Sequence, residues 1–398
     1  MNAPVSNGGP LSTGGTPELT VVVPVHDVAD WIEECLRSIL SQGVDLEVVV
    51  VDDGSADGTP AVVAAVGDPR VRLVPADRPG GGPARNQGAA LARGEYLAFA
   101  DGDDVVPPGA YAVLLRTLRE SGSDMSVGNF VRFRDGDQVP DDDAGPAAAG
   151  TAGPDPDAGA ERQTRHVTRA RTGVTVADEP GLIRNRACWN RVFRRSFWQA
   201  HDLRFEDSSR SNDIVAMARA TVAARTDLVP DVVYRYRQRF GNGSMSTFGA
   251  TSEAKLVYLA QERLCAPVLT GAGPRVRTVY SGMLLRSYLW GVVSTVLADP
   301  DWAAPERAAE LRERLAEPLA GILRGLSPET FASLPRARRQ VFTLAGAGDL
   351  PAAREALRRA EFPTRGDRLV EAADRLTRRA ALLAARVLVR ARRHVMTP

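Results

Sequence analysis

Apolar runs alternate with amphipathic stretches through the first hundred residues. Leu19-Thr-Val-Val-Val-Pro-Val25 is apolar at nearly every position and predicts a strand buried on both faces. Residues 30–42 follow with helical spacing, Trp31, Cys35 and Ile39 beside Ile32, Leu36 and Leu40 on one face. Leu46 to Val51 predicts a second strand and runs into Asp52-Asp53-Gly54-Ser55. A helix over about 58–66, a short strand over Val71–Val74 and a glycine-rich turn from Pro79 to Pro83 come next. A helix around 84–93 leads to the strand 96–100, which delivers Asp101-Gly102-Asp103-Asp104 with no spacer. Alternating β and α elements with all-apolar strands predict an α/β fold, a parallel sheet covered by helices on both faces.

The pattern changes further along. Residues 1–17 read as a flexible tail rich in Gly, Ser, Thr and Pro, and 135–166 as a disordered Asp/Gly/Ala/Pro insertion. Order resumes near Val174. Residues 181–199 mix aromatic and basic groups, 213–225 has helical character, and Asp231 to Tyr236 reads as a strand. From 251 the chain is helical and rich in Ala, Leu and Arg. A length of 398 residues suits two domains, here 18–250 and an α-helical C-terminal domain over 251–398.

Composition narrows the function classes. The net charge of +1 gives no global field for nucleic acid. Lys255 is the only lysine, so nearly all positive charge is guanidinium. The three cysteines (Cys35, Cys188, Cys265) are far apart, as in a reduced cytoplasmic chain, and the four histidines lack metal-ligand spacing. No signal peptide and no run of about 18 apolar residues is present, so no spanning helix is expected. The stretch Asp367 to Arg393 carries eight arginines among Leu, Val and Ala. It suits peripheral contact with the anionic inner face of a membrane as well as it suits a solvated helix packed on the second domain.

The acidic cluster carries the chemistry. Three adjacent carboxylates after a buried strand repel one another and resist desolvation unless a cation sits among them. Hard oxygen ligands suit Mg²⁺ or Mn²⁺, which commonly hold phosphates; a solvated turn without ligand is the plainer alternative. In parallel sheets ligands bind beyond the carboxyl ends of the strands. His26-Asp27, Asp52-Asp53 and Asp101–Asp104 all stand at such ends, so one crevice should collect them. Asp52-Asp53-Gly54-Ser55 can also cap the next helix, although capping needs one acid and not two. PGGGPARNQG lacks the Lys-Ser/Thr of a P-loop. Arg85 at the start of its helix favours an anion there.

In order, TVVVPVHDVADWIEECLRSIL, VVVVDDGSADGTP, GGGPARNQGAALARGEYLAFADGDD and WNRVFRRSFW resemble glycosyltransferase family 2 over roughly residues 18–245. The resemblance implies a GT-A fold and an inverting transfer from a nucleotide-sugar donor, a UDP-sugar first among them, with Mn²⁺ or Mg²⁺. The acceptor it implies is a hydroxyl-bearing glycan, lipid or polymer of the cell surface or wall. By position, Pro24, Val25, His26 and Asp27 match the first donor-binding segment. Asp53 matches the acid that reads the base, Arg85 the donor-side arginine, Asp101 the ribose-side acid and Asp103 the metal ligand. Trp189 and Asn190 match the acceptor side, and Arg237 and Arg239 the segment that closes over the donor. The family's general base lies in a Glu-Asp pair, for which Glu206-Asp207 and Asn212-Asp213 compete. Spacing from Phe205 favours Asp213, with Asn212 replacing the usual Glu. The helical C-terminal region is similar to that of teichoic-acid-type transferases by analogy alone. A nicotinamide oxidoreductase would need G-x-G-x-x-G where PVHDVAD stands. A non-catalytic scaffold or nucleotide-sugar-binding protein remains the alternative, separable by release of free nucleotide in the presence of acceptor.

Overall fold

A computed structural model describes residues 15–134, 167–239 and 251–361, together with 373, 374 and 377. The predicted insertion, most of the N-terminal tail and nearly all of Asp367–Arg393 lie outside the described residues. The chain divides into two compact units, 1–248 and 249–398.

The first unit is built on one mixed sheet. Its strands are β1 (Leu19–Val25), β2 (Leu46–Asp52), β3 (Val71–Pro75), β4 (Tyr96–Phe99), β5 (Met125–Phe133), β6 (Arg171–Val174), β7 (Arg191–Arg194) and β8 (Thr226–Arg237). They lie in the order β3-β2-β1-β4-β7-β5-β8-β6. The four strands predicted from apolar runs are mutually parallel. Beyond β4 the sheet is mixed: β7 is antiparallel to β4 and β5, β8 is parallel to β5, and β6 is an antiparallel edge. The register pairs Val25 with Asp52 and Val22 with Phe99, so the chain leaves β1, β2 and β4 along one edge and the three polar strand ends do converge.

The helices in this unit are α1 (Ile32–Leu40), α2 (Thr59–Ala65), α3 (Gly81–Leu91), α4 (Ala110–Ser121), α5 (Arg195–Ala200) and α6 (Ile214–Ala223). Helix α1 buries Ile32, Cys35, Leu36 and Ile39, the predicted stripe. Helix α3 lies so close to β1 that a Cβ at Gly88 would strike Val22. Beyond β4 the core is aromatic: Phe99 packs against Phe193, Trp198 and Phe205 with ring centroids 6.3, 5.1 and 4.8 Å away.

The second unit is helical. Helix α7 (Ser252–Gly271), α8 (Pro274–Met283) and α9 (Leu289–Ala298) are its longest early elements, α8 running into α9 through a π-helical turn at Leu284–Tyr288. The helical turn α10 (Ala308–Leu311), α11 (Glu317–Gly325), α12 (Pro328–Ala332), α13 (Arg336–Gly346) and α14 (Leu350–Glu361) follow. Glu262 is fully buried in this unit and accepts hydroxyl hydrogen bonds from Tyr258 and Tyr280, both at 2.5 Å. Among the described residues no helix is long and apolar enough to cross a membrane.

Candidate active site

The loop after β1 is tied to the loop after β2 by polar side chains. His26 Nδ1 donates to the Asp53 carbonyl at 2.8 Å. Asp27 holds a left-handed backbone, φ 50°, in which its N–H meets Ser55 Oγ at 3.0 Å and its Oδ1 accepts from Ala56 N–H at 2.8 Å. Val28 and Ala29 donate their N–H groups to Thr59 Oγ1 and Asp57 Oδ2. Asp52 and Asp53 do separate work. Asp52 accepts from Ser55 N–H, whereas Asp53 Oδ2 accepts from Gly80 N–H at 2.8 Å and so anchors the glycine turn. Pro24 and Val25 are strand residues. The Val25 carbonyl accepts from Asp53 N–H at 2.9 Å, and the Val25 side chain lies under Gly102 of the acidic turn.

The acidic turn after β4 splits into three different carboxylates. Gly102 is required by packing, since a Cβ there would crowd Val25, Val28 and Ile32. Asp104 is 1% exposed. Its Oδ2 accepts from the Tyr234 hydroxyl at 2.8 Å, its Oδ1 accepts from Arg237 N–H at 2.7 Å, and Tyr234 Oη accepts in turn from Asp101 N–H. Asp104 therefore fastens β8 to the acidic turn. Burial, then the charges of Asp103 and Asp101, hold its carboxyl well above the ordinary range. Asp103 pairs with Arg239 Nε at 2.8 Å, and that guanidinium lies 4.7 Å over the Trp31 ring. Burial pushes the Asp103 carboxyl up, Arg239 opposes the shift and Asp101 adds to it. Arg237 is buried: its Nε meets the Asp103 carbonyl at 2.7 Å and its Nη2 meets Glu34 at 2.5 Å. It braces the turn from beneath, while Arg239 holds the acidic face.

No three His, Cys, Asp or Glu side chains cluster as a ligand set among the described residues. The donor chemistry still suits a hard cation. Asp103 is an oxygen donor in an electron-rich setting, and the remaining positions on such an ion go naturally to a diphosphate and water.

Arg85 joins this turn to the far side of the site. Its guanidinium, 6% exposed, pairs with Asp101 through Nη2 and donates from Nη1 to Asn212 Oδ1 at 3.0 Å, with the Phe205 ring 5.6 Å from Cζ. Burial disfavours its charge, but Asp101 and then Cys188 and Asp213 more than compensate and raise its pKa. Asp213 is the half-buried residue before α6. Burial raises its carboxyl; Arg85 pulls it down and Asp101 pushes it up. The rival pair lies elsewhere. Asp207 is 68% exposed and faces Arg78 at 3.5 Å on the rim.

The 205–213 segment is held against α3. Asn86 donates to the Phe205 carbonyl at 2.8 Å and accepts from Phe205 N–H at 2.9 Å. A Cβ at Gly82 would run into the Glu206 carbonyl and crowd Asn212. Gly82→Ala is thus expected to push the Asp213 segment away from α3, costing about 1–3 kcal/mol; thermal denaturation with a parallel turnover assay checks both effects. Trp189 stacks on Tyr234 and Tyr236 with centroids 4.4 and 5.7 Å apart. Asn190 is fully buried and donates to the Gly128 carbonyl at 2.6 Å, so its side chain serves the sheet. Glu34, Asn86 and Tyr234 were not singled out from the sequence and Trp31 was read only as part of a helical stripe, although all four lie inside segments the sequence marked.

Residues 20–196 match the family model Glycosyl transferase family 2. The succinoglycan biosynthesis protein ExoO of Rhizobium meliloti is 45% identical over 121 residues, 29% of this chain and 34% of that protein. The chain thus spans about a third of that relative's length. The putative glycosyltransferase EpsH of Bacillus subtilis is 28% identical over 251 residues, 58% of this chain and 67% of that protein. Among solved structures, TarS 1-349 of S. aureus in complex with UDP-GlcNAc superposes with a TM-score of 0.63 at 19% identity, covering 86% of this chain and 91% of that one. That likeness fixes the GT-A fold. Sequence match and fold agree over the first unit, where residues 20–196 match glycosyltransferase family 2.

Proposed function

We propose that the protein is an inverting glycosyltransferase that moves a sugar from a nucleotide-diphosphate donor to an acceptor hydroxyl. The observation that carries this is the Arg85 bridge. One buried guanidinium binds the donor-side acid Asp101 and the residue preceding Asp213, bringing a diphosphate-compatible turn and a proton acceptor to one site. In this reading the loops carrying His26, Asp27 and Asp53 take the nucleoside. Asp101 takes the ribose. Arg239 exchanges Asp103 for the diphosphate. Asp213 accepts the hydroxyl proton as the acceptor oxygen bonds to the anomeric carbon from the face opposite the leaving group; the carbon–oxygen bond to the diphosphate breaks, and the nucleoside diphosphate leaves. A Mn²⁺ or Mg²⁺ ion held at Asp103 would supply charge to stabilise that leaving group.

The donor we propose is a UDP-sugar carrying a hexose or N-acetylhexosamine, in keeping with the ligand of the TarS complex. The acceptor we propose is a cell-surface polysaccharide, glycolipid or wall polymer handled at the cytoplasmic face of the membrane, in keeping with the succinoglycan relative. The test is release of UDP from a panel of UDP-sugars with Mn²⁺, with and without candidate acceptors. Absence of acceptor-dependent release from every donor that binds would reject catalysis in favour of a binding protein. For the cation, both EDTA and Asp103→Ala are expected to weaken donor binding by at least about tenfold, equivalent to ~1.4 kcal/mol. Calorimetry showing neither effect would remove Asp103 from the metal role.

A further inference from the structure

A second charged site lies apart from the acidic turn. Arg191 on β7 is 2% exposed. Its Nη1 donates to Thr221 Oγ1 at 3.3 Å and lies 3.7 Å from Met125 Sδ, and its Nη2 donates to the Asn185 carbonyl. Its Nε has no partner. Every one of these acceptors is neutral, and no carboxylate is within ion-pair distance among the described residues. Neutral acceptors satisfy N–H groups but leave the desolvation cost of a buried charge largely uncompensated. Burial accordingly pushes the guanidinium down to about 10, with Cys188 and Asp213 opposing from a distance.

Arg191 lines a cavity of about 100 Å³, open to solvent, bounded by β5, the start of β6 and the 3₁₀ turn Pro180–Arg184. Two further features make it a place for an anion. Asn185 lines the same wall and its Nδ2 is a second buried donor without a partner. Arg169 and Arg171 also line the cavity, and only Arg171 is balanced by a carboxylate there, Glu179 at 2.8 Å. Among the described residues two guanidinium charges, those of Arg169 and Arg191, are thus left without a counter-charge in the cavity.

We propose that this cavity binds a phosphate-type dianion, either free phosphate or a phosphate monoester on a larger ligand, with Arg191 as its buried counter-charge and Arg169 at its mouth. The site is separate from the donor site and does not depend on the transferase reading. Arginine suits such an oxyanion because its N–H groups make charge-assisted hydrogen bonds to the oxygens, and at Arg191 the Nε is the one still without a partner.

Calorimetry on the full chain, in EDTA and without nucleotide, titrated with inorganic phosphate and separately with glycerol phosphate, tests it. One saturable site is expected, weakened by salt and unaffected by saturating UDP with Mn²⁺. Arg169→Gln, at the surface, should lower affinity by about twofold to fivefold. Arg191→Gln should lower it at least about tenfold, since charge-assisted hydrogen bonds are the stronger class. Should that variant not fold, Asn185→Asp replaces it: a carboxylate beside Arg191 should abolish phosphate binding and raise the melting temperature. Tighter binding of glycerol phosphate identifies a ligand-borne phosphate, and tighter binding of inorganic phosphate the free ion. The proposal is overturned by absence of saturable binding, by competition from UDP, or by wild-type affinity in folded Arg191→Gln or in Asn185→Asp.

Discussion

Asp213→Asn is expected to lower turnover by about 10²–10⁴-fold while the donor dissociation constant stays within about twofold of wild type. Asparagine keeps the size of the side chain and loses only the ability to take a proton. The carboxylate stands at the start of α6, half-buried, beside the Arg85–Asp101 pair. Burial and Asp101 raise its proton affinity above that of an ordinary aspartate, against the pull of Arg85. A base acts when deprotonated, so a raised pKa moves the acid limb of kcat/KM to higher pH than a free carboxylate would give. Asp207→Asn is the contrast: that carboxylate is 68% exposed on the rim and its loss should leave turnover unchanged. Stopped activity in Asp207→Asn with an active Asp213→Asn would reverse the assignment. Loss of donor binding in Asp213→Asn would mean that the residue holds the site together and does not act on the acceptor.

How far these residues could be read from sequence depended on whether their partners were local. Helix α1 was legible because its stripe repeats every three to four positions, and β1, β2 and β4 because they are apolar throughout and end in acids. Their parallel pairing then placed the acids together without further information. The segment 110–134 was not assigned. Helix α4 starts after Gly109, a left-handed residue with no side chain to cap the helix, so its start carries no signal. Strand β5 has Gly128 where a Cβ would strike Val233, and Asn129, whose amide serves the Val167 and Pro230 carbonyls; the register slips between Val127 and Phe130. Alternation is broken at those positions by tertiary packing. Strand β8 begins at Thr226, five residues before the apolar-aromatic run that announced it, since Pro230 and exposed Asp231 interrupt the pattern. Asp104 shows the same limit at the site. Its neighbours in sequence suggest a ligand, yet its partners, Tyr234 and Arg237, lie about 130 residues away and make it a fastener.

Arg85→Gln carries the largest expected effect on stability. The change removes the cation from Asp101, whose side chain is 24% exposed, and the donor from Asn212, and leaves both on the walls of the site. Breaking a buried pair from one side costs about 3–5 kcal/mol; the partial exposure of Asp101 argues for the lower end, about 3 kcal/mol. For a unit of this size that is a drop of ~6–12 °C in melting temperature. Turnover should fall as well, because α6 loses its tie to the acidic turn. Arg85→Lys keeps a charge but not the fork that reaches Asp101 and Asn212 together, so it should fall between wild type and glutamine. The double variant Arg85→Gln/Asp101→Asn separates the causes. With the orphaned carboxylate neutralised, it should recover part of the stability lost in Arg85→Gln alone and none of the turnover. Equal melting temperatures for the single and double variants would show that Arg85 stabilises through its packing on Phe205 and not through Asp101. Recovered turnover would show that the bridge to Asp213 is dispensable, and with it the observation on which the proposed mechanism stands.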